Sequence, residues 1–343
     1  MQPFDYLRPR SLEQAAAPPT LPIAQAMLPA GAQTAVYKGA GIDLLDLMKE
    51  GLLEPSALVD LGAVEGLATM APSPDGGLRL GAAATLANVA AHPLVAAHYP
   101  ALASALAGSA SPQIRNRATL GGNLLQRPRC WYFRSQAFAC TRKGGGHCFA
   151  FQGDNRYHAV FGHTGCAMVH PSTAATVLVA LDAEVELRGP ARAARRLPLQ
   201  DFLLPTERSL RSENDLRPQE ILTAVRLAAL DERVGMAYLR QGEKQSFDWP
   251  LVDVAVVLRR DGSGRCNRAA VVLGAVAPVP HRARAAEQAL QGRIIDAASA
   301  AQAGRAALQG AQPLSANAYK LPLVQALVER AVLAAAASGR AAA

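Results

Sequence analysis

The 343-residue sequence has five cysteines, few aromatics (5 % of residues) and almost none of the short motifs that announce a chemistry. No HExxH, no Walker sequence and no legible Ser–His–Asp arrangement occurs, which removes zinc-peptidase, phosphate-loop NTPase and serine-hydrolase readings. The cysteines form neither a pair of short CxxC hooks nor the compact ferredoxin run. No apolar run reaches eighteen residues without interruption, so no membrane span is expected. The first residues, MQPFDYLRPRSLEQAAA, lack the basic-then-apolar form of a signal peptide. Export to the periplasm would therefore need a partner that carries the address; otherwise the protein is expected in the cytoplasm. The net charge of +8 is scattered, with no dense basic tract and no recognition module, so nucleic acid is not an expected partner.

What is present is concentrated in one stretch. Four of the five cysteines, Cys130, Cys140, Cys148 and Cys166, share the segment 130–166 with six glycines and eight aromatics. No helical or strand period persists there, so a folded loop with short elements is expected. Loops of this length in compact domains are functional or disordered, and the aromatics argue for order. Four converging thiolates suit zinc or an iron–sulfur cluster. The gaps of nine, seven and seventeen residues do not choose between them. Two disulfides or four unligated cysteines are the other readings of the same residues.

The length predicts two domains. Before the cysteine segment, Ser11 opens a short helix in capping-box form. A strand at 33–37 runs into Lys38-Gly39-Ala40-Gly41-Ile42-Asp43, and a helix starts at Leu44. That order exposes backbone N–H groups at a helix start, a place for a phosphate or for a plain tight turn. Further strands are expected at 57–61 and 78–82, and helices at 86–91 and 99–107. In the run Thr119-Leu-Gly-Gly-Asn123 the glycines allow close approach to a ligand, and Thr119 and Asn123 offer hydrogen bonds. After the cysteine segment, 188–196 reads as a turn and charged connection, and 219–227 as a strand. A hairpin, 252–258 with 269–274 about the turn 261–264, precedes helices at 282–290, 295–308 and 319–337. Strands followed by helices predict an α+β sandwich with helices on one face.

Read together, KGAGIDLLDL (38–47), LGAAATL (80–86), QIRNRATLGGNL (113–124), HPSTAATVLVALDAEVEL (170–187), QEILTAVRL (219–227) and AYLRQGEKQSFDWPLVDVAVVL (237–258) resemble the FAD-binding, medium subunit of the xanthine dehydrogenase and molybdenum hydroxylase family. The resemblance covers nearly the whole chain. It implies an α+β fold: a two-part PCMH-type FAD-binding domain over 1–228, then a C-terminal α+β domain over 229–343 like that of the CO dehydrogenase flavoprotein. The forty-residue insertion at about 126–169 is similar to the one in periplasmic aldehyde oxidoreductases, whose flavin subunit also carries a 4Fe–4S centre.

The resemblance further implies that Lys38, Gly39, Ala40, Gly41, Ile42, Asp43 and Leu44 form the loop holding the FAD pyrophosphate. Thr119, Gly122 and Asn123 would sit beside the cofactor, with Leu222 near the isoalloxazine and Arg240 where relatives carry lysine. Cys130, Cys140, Cys148 and Cys166 would ligate the 4Fe–4S cluster, and no side chain is expected to be catalytic in its own right. The sequence departs from the family at Ala40, commonly glycine, at Ile42, which lacks a hydroxyl, and at Thr173, where Asp is usual. Expected partners are a large subunit with the molybdenum cofactor, a small subunit with 2Fe–2S clusters, and an external electron acceptor. The expected function is electron transfer from the 2Fe–2S subunit to that acceptor during aldehyde oxidation. Oxidation of an N-heterocycle or an aromatic acyl-CoA, or a non-redox scaffold with a structural metal, are the alternatives.

Overall fold

Three short stretches, β1 (Asp5–Leu7), β2 (Ala35–Lys38) and β3 (Ala57–Asp60), pair in parallel in the order β1-β3-β2. The computed structural model describes residues 2–28, 34–190, 193–245 and 247–338. Gln33, the expected start of β2, lies outside the described residues. Parallel strands need crossovers. The helices Leu12–Ala16, Ile23–Ala26 and Leu44–Lys49 supply them, and Ser11 Oγ accepts from Gln14 N at the first helix start. Val36, Leu47, Met48 and Leu58 are buried between these elements, and Phe133 and Cys140 of the cysteine loop complete the same core.

A second, antiparallel sheet follows the order β4-β5-β8-β6-β7, from β4 (Met70–Pro72), β5 (Leu78–Gly81), β6 (Glu184–Arg188), β7 (Ala194–Pro198) and β8 (Ile221–Leu227). The expectation of a charged connection at 188–196 is corrected here. Residues 194–198 are an edge strand paired with β6, and Arg195 forms ion pairs with Glu220 and Asp215. An edge strand needs only one covered face, so charged residues suit it and no apolar period betrays it. Residues 191–192 lie outside the described residues.

The third sheet, β12-β11-β10-β9, contains β9 (Val234–Gln241), the expected hairpin of β10 (Val252–Arg260) and β11 (Cys266–Gly274), and the two-residue β12 (His281–Arg282). Its two faces follow the period of a strand. Val252, Val254, Val256 and Leu258 pack under the helices Arg284–Leu290, Ala297–Ala306 and Lys320–Ser338. Ala255, Ala270 and Val272 face the helix Thr173–Ala180, all of whose residues are buried. Helices therefore cover both faces, not one as expected, because the second cover comes from earlier in the chain. Cys266 is buried at the start of β11. Lys320–Ser338 is long and apolar enough to cross a membrane by length and composition, but one face of it, with Val324, Val328 and Val332, is built into this core.

The cysteine loop is ordered by short elements, the helix Trp131–Arg134 and 3-10 turns at Thr141–Lys143 and Phe149–Phe151. Buried polar bonds fasten it to the C-terminal part. Asn317 Nδ2 donates to the carbonyls of His158 and Ala159 at 3.1 and 3.0 Å. Lys320 Nζ donates to those of Tyr157 and Ala275 at 3.0 and 2.8 Å, and Asn155 Oδ1 accepts from Ala316 N at 2.9 Å. Each bond supplies a donor to a group that burial has cut off from water.

Candidate functional site

Where β2 ends, the chain turns through Gly39-Ala40-Gly41 and enters the helix Leu44–Lys49. Gly41 has φ +86°, a conformation open to glycine at little cost. Gly39 is required by contact: a Cβ there would lie 2.8 Å from Thr119 Oγ1. Thr119 in turn caps the helix Leu120–Leu124, its hydroxyl accepting from Gly122 N at 3.1 Å. Gly121 N donates to Ala82 O at 2.8 Å, and a Cβ on Gly121 would meet Ala82 Cβ at 3.0 Å. The two glycine loops, eighty residues apart in sequence, are thus pressed together by what they lack.

They line one cleft of about 370 Å³. Of the residues expected to hold the cofactor, Gly39, Ala40, Gly41, Ile42, Asp43, Leu44, Thr119, Gly122, Asn123, Leu222 and Arg240 all face it. Lys38 is not in the lining: its ammonium turns back to Asp60 at 3.2 Å and to Gly39 O at 3.0 Å. Asn123 is oriented by Ser172, whose hydroxyl donates to Asn123 Oδ1 at 2.6 Å and accepts from Ala175 N. Thr173 lines the cleft as well, with its hydroxyl 2.6 Å from that of Ser109. Arg240 donates to the carbonyls of Gln245 and Asp248 and so holds the segment that presents Trp249.

The reading from sequence missed two arginines of the lining, Arg127 and Arg129, and the indole of Trp249, over which Arg129 stacks at 5.0 Å. Their one signal was position, directly between the glycine loop and the first cysteine. Asp43 links the two regions. It does not cap its own helix but accepts from Arg127 N at 2.8 Å and Arg134 Nη2 at 2.6 Å, and pairs with Arg129 at 2.9 Å. Arg127 continues inward to Glu213, which also receives Arg142 Nη1 at 2.6 Å; all three side chains are buried.

The four loop cysteines converge and none is in a disulfide. Cys148 hydrogen-bonds to Cys166, and Cys130 lies close enough to Cys140 and Cys166 to feel their charge. Burial pushes the Cys130 thiol up to about 11. The hydrogen bond from Cys148 and the nearby Arg142 charge, acting against burial, bring the Cys166 thiol below its ordinary value. His158 Nε2 lies 3.2 Å from Cys130 Sγ, and burial keeps that imidazole neutral, lowered to about 4. Among the described residues no three His, Cys, Asp or Glu side chains are grouped to hold a single metal ion. A second cavity of about 230 Å³, lined by Cys130, Trp131, His158, His170 and Trp249, adjoins the first.

Comparison with known proteins agrees with this geometry. Residues 2–229 match the FAD binding domain in molybdopterin dehydrogenase, and residues 237–335 the CO dehydrogenase flavoprotein C-terminal domain. The aldehyde oxidoreductase FAD-binding subunit PaoB of Escherichia coli K12 is 37% identical over 85% of this chain and 88% of its own. The carbon monoxide dehydrogenase medium chain of Hydrogenophaga pseudoflava is 27% identical over 97% and 96%. Among solved structures, quinoline 2-oxidoreductase from Pseudomonas putida 86 aligns with a TM-score of 0.73 at 27% identity, over 98% of both chains.

Proposed function

Since the chain belongs to the family of FAD-binding medium subunits of molybdenum hydroxylases, we propose that it serves an aldehyde-oxidising complex and carries a 4Fe–4S cluster besides its flavin. It is a FAD-binding oxidoreductase subunit of a molybdenum hydroxylase-type complex, a family that assembles with a large molybdenum-cofactor subunit and a small 2Fe–2S subunit. The aldehyde assignment rests on the relative at 37% identity, against 23% to 30% for relatives named for nicotine, nicotinate, carbon monoxide or xanthine.

The observation that carries the reading is that one cleft is walled by both glycine loops and by Arg127 and Arg129 of the cysteine loop. The backbone at Gly39, Gly41 and Gly122 can approach a pyrophosphate because no Cβ intervenes, and the backbone N–H groups of the helix starts there suit an anion. Arg240 and Trp249 line the same cleft. Bound FAD supplies chemistry in one-electron or two-electron steps, so it can join single-electron carriers to a two-electron acceptor. The protein's own work is to bind, orient and insulate. No side chain in the cleft forms the nucleophile–base pair that bond-making would need. Cys130, Cys140, Cys148 and Cys166 would hold the cluster, with His158 placed to donate to the Cys130 sulfur.

The test is iron, acid-labile sulfide, zinc and flavin per chain, on protein purified anaerobically with its partner subunits and then resolved. About four iron, four sulfide and one FAD per chain are expected. Flavin with zinc or with no metal would remove the cluster; metal without flavin would make this a scaffold subunit.

A further inference from the structure

Arg142 lies two residues beyond Cys140, on the 3-10 turn Thr141–Lys143, with Gly144 in the left-handed region ending the turn. Its guanidinium is buried, 2 % exposed. Only Nη1 has an oxygen partner, Glu213; Nε and Nη2 are buried with none, and the group they face is the Cys166 sulfur. Glu213 is not free to neutralise Arg142, because it is shared with Arg127, whose Nε lies 3.1 Å from its second oxygen. The nearby acids Asp43 and Asp46 are occupied by Arg129 and Arg134. Two guanidinium charges thus face one carboxylate, leaving one positive charge uncompensated in the interior beside four cysteines.

Burying an unbalanced charge is costly unless an opposite charge answers it. Four thiolates around an iron–sulfur centre carry net negative charge and answer it. We propose that Arg142 is a positioning residue for the cluster: its guanidinium, directed at the Cys166 sulfur and held there by Glu213, raises the reduction potential of the 4Fe–4S centre. This rests on the cluster assignment made above. Reduction adds one electron and no proton, so the centre becomes more negative by one charge. A fixed cation at a ligand sulfur favours that form, and low polarisability around it magnifies the effect.

The experiment uses the full complex as wild type, R142K, R142Q and E213Q. Iron per chain is measured first, and the midpoint potential is then read by redox titration of the cluster's paramagnetic signal. R142Q is expected at a more negative midpoint than wild type, R142K close to wild type because the charge is restored, and E213Q at a more positive midpoint because a carboxylate is lost. A wild-type complex without cluster iron would overturn the assignment and the inference together. Full iron with R142Q titrating like wild type, or E213Q moving in the negative direction, would overturn the inference alone. Should R142Q not fold, R142M takes its place, and a wild-type midpoint in it would overturn the inference.

Discussion

Gly39 shows how a single missing side chain can make a site. A Cβ at this position would sit 2.8 Å from Thr119 Oγ1, and Thr119 is itself committed to capping the next helix. G39V should therefore push the two glycine loops apart and lose at least tenfold in flavin affinity, since one decade needs only about 1.4 kcal/mol. Released flavin, quantified by absorbance after denaturation, checks this; undiminished flavin in G39V would mean the loops do not need to touch. The residue scale is also where the sequence was most legible. Eleven of the twelve cofactor residues expected from family resemblance line the cleft, because backbone approach is written in glycine and in short polar caps. Lys38 is the one outside the lining, because Asp60, one strand away, holds its ammonium.

At the scale of elements, the cysteine loop depends on a segment it never meets in sequence. Asn317 supplies donors to two buried carbonyls, His158 O and Ala159 O. N317A leaves both without partners, at about 1–3 kcal/mol for each acceptor. Faster proteolytic nicking within 130–166, with β9–β11 still intact, is the expected result; wild-type resistance would show that the loop orders itself. The hairpin of β10 and β11 could be read from its turn and the apolar runs on either side, as could the helix start at Leu44 from the small-residue loop before it. The edge strand β7 could not, because its residues cover one face with arginine stems and expose the other. Nor could Thr173–Ala180 be recognised as a shared wall. Buried on every side, it is apolar without a stripe, and a helix apolar all round does not name its neighbours.

The whole molecule is joined where that helix meets the third sheet, and Asp253 is the ionisable group at the junction. It is fully buried, with Tyr238 Oη at 3.1 Å and Thr176 beside it, and burial, partly offset by those hydrogen bonds, raises its carboxyl from the ordinary 3.8 to about 7. Between those two values the folded chain holds a proton that the unfolded chain has released. Stability from this group therefore falls as pH rises through that window. D253N lacks the slope: relative to wild type, its stability should climb between about pH 4.5 and 7 by up to ~1.4 kcal/mol per pH unit. Thermal unfolding of both proteins across that range tests it, and parallel profiles would contradict it. Lys320, lowered by burial to about 7, contributes its own slope only at higher pH. That same lysine, with Asn317, gives the clamp on the cysteine loop a place in time. Synthesis runs from the N-terminus, so Cys166 has been made long before residues 315–320 reach the loop that they hold. A nascent chain stalled between those points has all four thiols but lacks the donors of Asn317 and Lys320. The final anchoring of the loop is therefore completed only late in synthesis, after every residue that it holds in place has been made.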